Sequence, residues 1–440
     1  MKNDLKVCPA KGRCGGCRYQ GISYRDQLSI KMMNLIGLLG RYGHVDEIEG
    51  MDDPLYYRCK VNSAIGIRNG RIISGQYAPS THRIITVPEC MLEDRSAAEV
   101  INTVKSLMKK HHLRAFEDDK MTGFLRHVQI RVGRYSGQLL VTLVTAREEF
   151  PNAEAFVSDL TKAHPAIRSV VQSVNSDFTS VVLGRTSRVL FGDGYIEDSL
   201  CGMNFRISSG SFYQVNPVMA SRLYEDAIGF LKLKKTDRLI DAYCGTGTIG
   251  IIASKNAGSV IGVEQNAAAV KDAAVNASAN GRENITFVKA DASEYMSRLA
   301  KQGEHIDCVI MDPPRSGSTV KFMKSMKELS PSRVAYISCD PSSLSRDLGW
   351  LTRNGYRVKR IRPYDMFPFT EHVETVCLLS QRKPDTTIEV DLDISELEVS
   401  SAETKATYEE IKSYVLEKYG LKVSNLYIAQ VKRECGIVER

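Results

Sequence analysis

Arg238-Leu-Ile-Asp241-Ala-Tyr243-Cys-Gly245-Thr-Gly247-Thr-Ile-Gly250 decides the fold. A short apolar strand ends at an acid, passes through a glycine loop and enters a helix expected over 248–255, the opening of a nucleotide-type αβ unit. Working outward, the pattern keeps alternating. A helix over 218–231 comes before it; after it come strand 259–264, helix 267–279, strand 285–288, strand 308–312 and the strand that ends at Cys339. Such alternation predicts a mostly parallel, doubly wound α/β sheet, with the marked residues just past the strand ends where ligands meet open sheets.

The glycine run matches G-x-G-x-x-G, and Glu264 ends the next strand, where an acid can take ribose hydroxyls. Alone, that pattern also fits NAD. Asp241 at its strand end and Asp312-Pro313-Pro314 after a later strand favour S-adenosylmethionine (SAM), because an Asp-Pro-Pro turn lines the place where methyl acceptor meets cofactor. Amino-group methyltransferases follow that turn with an aromatic residue. Here Arg315 follows, which argues for another acceptor atom.

Ala335-Tyr-Ile-Ser-Cys339-Asp340-Pro341 puts one thiol at a strand's carboxyl end, cut off by proline. Cysteine is among the most buried residue types, so core packing is the plain alternative. Asp340 and Ser342 to Ser345 supply helix-capping groups, however, and a helix N-terminus lowers a thiol pKa, which suits a nucleophile.

The bulk numbers limit the rest. A chain of 440 residues, 43% hydrophobic and 25% charged, has room for two or three domains. No apolar run approaches the roughly 20 residues that span a bilayer, and Met1-Lys-Asn-Asp-Leu-Lys lacks a signal core. A cytoplasmic monomer away from membranes, with its 11 cysteines reduced or metal-bound, is the expectation. Seven acids between Pro384 and Thr404, with no Lys or Arg, leave the remainder more basic than the net +7, a balance suited to a polyanion. Between Lys105 and Arg147, nine basic residues against three acids interleave with Phe116, Phe124, His127 and Tyr135, the composition of a surface that holds phosphates and stacks bases.

Cys8, Cys14 and Cys17 lie within ten residues among glycines. A fourth ligand must come from elsewhere; Cys90, after Val87-Pro-Glu, fits better than Cys59, which reads as strand. Three clustered cysteines and one distant one resemble iron–sulfur ligation more than zinc, with zinc or unmetallated thiols the alternatives. A helix is expected over 24–39 and another over 97–110. Short β-branched runs from Val61 to Val174 predict an α+β domain built on an antiparallel sheet.

Together, Cys8/Cys14/Cys17/Cys90, Phe212-Tyr-Gln214-Val-Asn216, Asp241 to Gly247, Asp312-Pro-Pro-Arg315, Ser338-Cys339-Asp340-Pro341 and His372-Val-Glu374 resemble the bacterial RNA (uracil-C5)-methyltransferases, closest to those of large-subunit ribosomal RNA that carry a 4Fe–4S cluster. The similarity runs over about residues 8–382. It implies a SAM-methyltransferase sheet preceded by an α+β domain with a Cys-ligated cluster, Cys339 as nucleophile and Glu374 as base. It also implies cofactor or base contacts from Gln214, Tyr243, Glu264 and Asp312, with Thr248 standing where members often carry Asn, and a ribosomal RNA partner, with transfer RNA the alternative. Two features depart from the family: there is no room before Cys8 for the RNA-binding barrel of some relatives, and the tail beyond Lys383 lies outside the common core. The implied organisation is a cluster-bearing RNA-binding domain over 1–215, the methyltransferase domain over 216–383, an acidic linker over 384–404 and a small helical tail over 405–440. An iron–sulfur NAD oxidoreductase and a silent RNA-binding protein are the rivals; Asp312-Pro-Pro-Arg315 argues against the first, and the presence of both Cys339 and Glu374 against the second.

Overall fold

A computed structural model describes residues 7–87, 89–117, 120–177, 181–382, 408–419, 423 and 428. The chain forms two compact units, Met1–Gln381 and Arg382–Arg440. The acidic linker lies outside the described residues, as does much of the small helical tail expected over 405–440. In the smaller unit one helix, Tyr408–Tyr419, packs Ile411 and Val415 against Ile428.

In the larger unit, helix α1 (Tyr24–Leu39) starts at Ser23, whose hydroxyl accepts from the Asp26 amide. Its buried residues are Gln27, Lys31, Leu35 and Leu39, one every fourth position, whereas Ile36 is exposed. The apolar spacing in the sequence therefore locates the helix but not its inner face. Leu35 and Leu39 join the core of the carboxy-terminal sheet, not that of the sheet that follows them in the chain.

The first sheet comprises β1 (Lys60–Arg68), β2 (Arg71–Tyr77), β3 (Ile84–Ile85), β4 (Leu125–Val132), β5 (Leu139–Thr145), β6 (Ile167–Val174) and β7 (Thr186–Phe191), in the order β3-β2-β1-β4-β5-β6-β7. Helices α2 (Arg95–Lys110) and α3 (Ala153–Ala163) supply Val100, Val104, Met108, Phe156 and Leu160 to its core. The sheet is not wholly antiparallel: β5 and β6 run parallel, because α3 carries the chain back between them, as a parallel pair requires. A hairpin of β8 (Tyr195–Leu200) and β9 (Met203–Ser208) follows.

Part of the basic, aromatic stretch is spent inside this sheet, whereas Lys109, Lys110, Arg114, Lys120, Arg134 and Arg147 are exposed. Phe116 and Phe124 are core residues. Arg126 is buried and donates to the carbonyls of Asn175 and Asp177, and buried Arg131 donates to those of Ser209 and Ser211. Lys110 pairs with Asp159 and Lys120 with Glu117. Of the aromatics expected to stack bases, Tyr135 is exposed. Composition identified basic and aromatic residues but not the face each occupies.

After α4 (Pro217–Leu231) come β10 (Arg238–Ala242), α5 (Thr248–Ala253), β11 (Ser259–Glu264), α6 (Ala267–Ala279), β12 (Ile285–Lys289), α7 (Ala292–Lys301), β13 (Cys308–Met311), α8 (Val320–Leu329), β14 (Arg333–Ser338), α9 (Pro341–Arg353), β15 (Tyr356–Tyr364) and β16 (Glu374–Gln381). Their sheet order is β12-β11-β10-β13-β14-β16-β15. The strands from β12 to β14 are parallel, and β16 runs antiparallel to both β14 and β15. Separate apolar cores cover its two faces, as a doubly wound sheet requires. The order reverses between β11-β10 and β13, the switch point where such sheets open a crevice. No helix among the described residues is long and apolar enough to cross a membrane.

Candidate active site

The ends of β10, β11 and β13 build one side of the crevice. Asp241 is buried; one carboxylate oxygen accepts from the Gly250 amide at 2.7 Å and the other has no partner. Burial pushes this carboxyl up to about 7. The glycine loop passes above it. Gly247 has φ +79°, and a Cβ there would come within 2.7 Å of the Phe287 ring, so only glycine fits. Glu264 fastens the loop, accepting from the Gly245 amide at 3.1 Å and the Asn266 amide at 2.7 Å. Tyr243 takes a left-handed backbone at φ +65° and lays its ring 5.3 Å from that of Phe322. Thr248 is the first residue of α5, its hydroxyl 3.4 Å from that of Thr246. An orphaned buried carboxylate oxygen, a loop that excludes side chains and an acid at the neighbouring strand end fit a nucleoside-bearing cofactor such as SAM.

β14 and β16 build the other side. Cys339 follows the last residue of β14 and precedes Asp340, which caps α9 by accepting from the Ser343 amide at 2.8 Å. Glu374 is the first residue of β16 and is buried. Burial pushes its carboxyl up to about 8, with Asp312 adding to the shift and Arg315 opposing it. Burial likewise raises Asp312 to about 7. The Cys339 thiol is raised to about 11 by burial, then by Glu374 and Asp312, with Arg315 opposing. The expected lowering by the helix N-terminus is thus outweighed: two carboxylates facing the sulfur disfavour a thiolate. Cys339, Glu374, Asp312 and Arg315 form one electrostatic group, in which a thiol, a carboxyl that titrates near neutrality and a cation could act on one small planar substrate.

Two further residues were missed in the sequence. Tyr224, buried on α4, has its phenol raised by burial and by Asp312, Glu374 and Asp241, with Gln214 against its hydroxyl opposing the shift. Asp347 is fully buried in α9 and accepts from the Tyr336 hydroxyl at 2.6 Å and the Ser318 amide at 2.7 Å, while pairing with Arg346 at 2.8 Å. It pins the loop that carries Arg315 to the helix that follows Cys339. An acid in the second turn of a helix gives no signal in sequence, since its partners come from other elements.

The amino-terminal cysteines converge. Cys8, Cys14, Cys17 and Cys90 all line a cavity of about 650 Å³, together with Arg58 and Lys105. Cys59, by contrast, is buried one residue before β1. Among the described residues no three His, Cys, Asp or Glu side chains are gathered as ligands of a single metal ion.

The sequence pattern of the tRNA (uracil-5-)-methyltransferases matches residues 92–382. The chain belongs to this family. As a SAM-dependent RNA (uracil-5-)-methyltransferase it is 39% identical over 377 residues to an uncharacterized RNA methyltransferase of Halalkalibacterium halodurans, covering 84% of this chain and 82% of the relative. It is 38% identical over 373 residues to an uncharacterized RNA methyltransferase of Oceanobacillus iheyensis, covering 83% and 81%. A solved structure, Pyrococcus abyssi tRNA (uracil-54, C5)-methyltransferase in complex with S-adenosyl-L-homocysteine, superposes with a TM-score of 0.71 at 27% identity, over 84% of this chain and 86% of that one.

Two measurements check the electrostatics of this methyltransferase site. Asp347→Ala leaves the Ser318 amide and Tyr336 hydroxyl buried without partners, so denaturant titration should show a loss of roughly 2 to 5 kcal/mol. Glu374 is uncharged in both folded and unfolded chains below its unfolded pKa of about 4.3, and it carries a buried charge only as pH rises through the folded value near 8. Its stability contribution is therefore lost on that rise. Glu374→Gln should melt like the unaltered protein near pH 4 and be more stable above pH 8 by on the order of a few kcal/mol.

Proposed function

We propose that this methyltransferase modifies C5 of a specific uridine in large-subunit ribosomal RNA, with Cys339 as nucleophile and Glu374 as base. The observation that carries the reading is the single group formed by Cys339, Glu374, Asp312 and Arg315 at the sheet crevice. C5 of uracil is a poor nucleophile until something adds at C6. The Cys339 sulfur bonds to C6, and the electron pair of the C5–C6 double bond becomes available at C5 as the ring forms an enolate. SAM, when bound, supplies the electrophilic methyl group that C5 takes up. Glu374 then accepts the C5 proton, the C5–C6 double bond re-forms, and the C6–S bond breaks to release the thiolate. A carboxyl titrating near 8 suits that step, because a base is most effective with a pKa close to the working pH. Gln214, Tyr243, Thr248, Glu264 and Asp312 are proposed to hold cofactor and base. The uridine must leave its stack to reach this crevice, and the Cys339 thiol passes its proton to solvent before the sulfur adds, which leaves the ionised Glu374 carboxylate free to take the C5 proton.

The four cysteines are proposed ligands of a 4Fe–4S cluster. What supports this is their shared cavity. Each iron of the cube takes one thiolate, so its ligands surround a cage and do not close on a point as the ligands of a single ion do. The proposed setting is the cytoplasm, where thiols stay reduced. Transfer RNA is the second reading, favoured by the description of the family and of the Pyrococcus enzyme.

Three tests follow from this reading. Mass mapping of 5-methyluridine in ribosomal and transfer RNA from a deletion strain should find one ribosomal position unmethylated; a loss confined to transfer RNA assigns the second reading. Glu374→Gln should accumulate a denaturant-resistant protein–RNA complex carrying one methyl group, which Cys339→Ala abolishes; normal turnover by Glu374→Gln would move the base elsewhere. Protein purified without oxygen should be brown with about four irons per chain, and Cys90→Ser should lower that content; stoichiometric zinc without visible absorbance would refute the cluster.

A further inference from the structure

Glu374 does not hold its own place. In the β15–β16 register it pairs with Tyr364, so the segment between them, residues 365–373, is a loop whose two ends meet at the carboxylate. Any change in its path shifts the first residue of β16. Its backbone is held almost wholly from outside the sheet. Lys31 of α1, itself 1% exposed, places its ammonium 2.5 Å from the Asp365 carboxylate and donates to the carbonyls of His372 at 3.0 Å and Phe367 at 3.3 Å. Gln27, one turn earlier and fully buried, accepts from the Phe369 amide at 3.0 Å. The amides of Arg18 and Tyr19 donate to the Phe369 carbonyl at 2.8 and 3.0 Å. Phe369 itself is held at φ +65°, a conformation that a bulky residue adopts only where its surroundings impose it. Its ring packs with Tyr57 and Leu92 in a cluster that Cys8, Cys17 and Cys90 adjoin.

We propose that Lys31 and Gln27 are positioning residues for proton removal: through the 365–373 loop they set the Glu374 carboxylate where it can take the C5 proton, while leaving Cys339 untouched. This inference rests on the roles proposed for Cys339 and Glu374. The physical reason is that the three hydrogen bonds of the Lys31 ammonium all run to this loop, and the Gln27 carbonyl oxygen accepts from it while the Gln27 amide nitrogen donates to the Ile22 carbonyl at the foot of α1, whereas Cys339 is held by β14 and the cap of α9. Both groups are buried and neither touches the crevice, so a change at either reaches the reaction only through the loop.

The experiment separates the two halves of the reaction. The full chain is incubated with total RNA from the deletion strain and methyl-labelled SAM; formation of the denaturant-resistant adduct and its release are timed separately. Gln27→Leu keeps the shape of the residue and removes the acceptor. Lys31→Met combined with Asp365→Asn removes both buried charges together, so that neither is stranded. For each variant that melts cooperatively, adduct formation should stay within about threefold of the unaltered protein while release slows about tenfold or more, since small displacements of a reacting group cost that much. Equal loss of both steps, or release at the unaltered rate, overturns the proposal. If the paired variant does not fold, Gln27→Leu decides alone. Failure of the underlying roles looks different: Glu374→Gln itself would then trap no adduct, whatever the Lys31 and Gln27 variants do.

Discussion

The ion pair between Lys31 and Asp365, 334 positions apart and both out of contact with water, is the constraint on which the larger unit depends. Two charges withdrawn from solvent gain net stability only when their geometry is close and their remaining polar groups are satisfied. Here the ammonium meets one carboxylate oxygen and two backbone carbonyls, the second oxygen of Asp365 is left without a hydrogen-bond partner, and desolvation pulls the lysine pKa down against the pull of Asp365. The pair fixes which face of α1 turns inward. It also fixes where the loop before β16 lies, and so joins the cysteine-bearing segment to the far edge of the methyltransferase sheet.

The crevice was legible in sequence because its groups sit at strand ends and beside glycines and prolines, where residue type is dictated by backbone geometry. Asp241, Gly247, Asp312, Cys339 and Glu374 could each be placed on that basis. The convergence of Cys90 with the three early cysteines on one cavity was also anticipated, from its proline-marked turn. What remained hidden depends on partners distant in the chain. Gln27 and Lys31 look like the wet side of an amphipathic helix until Phe369 and Asp365 are brought against them. Phe116, Phe124, Arg126 and Arg131 resemble a nucleic-acid surface until the sheet turns them inward. The parallel pairing of β5 with β6 follows from α3, a helix that the sequence reading did not include.

Asp241, Asp312 and Glu374 share one crevice, and each has its ionised form disfavoured by burial. A site that crowds three acids is a cost to the fold, and shifts of this kind gather where groups are poised to exchange protons. The same crowding keeps the Cys339 sulfur protonated in the free protein. A thiol is far less reactive toward oxidants and stray electrophiles than a thiolate, so the site is quiet until the substrate alters its electrostatics.

The hydrogen bonds from Arg18 and Tyr19 to Phe369 also set an order of events during synthesis. At bacterial elongation rates the ribosome needs roughly 20 to 70 s to travel from one end of this contact to the other. During that interval the first sheet can close on α2 and α3, but α1 has neither Asp365 for its lysine nor Phe369 for its glutamine. The cysteine-bearing segment is made well before the loop that precedes β16 and reaches its final packing only when that loop leaves the exit tunnel. For a nascent chain, placement of the Glu374 carboxylate and packing of the cysteine-bearing segment are therefore a single late step.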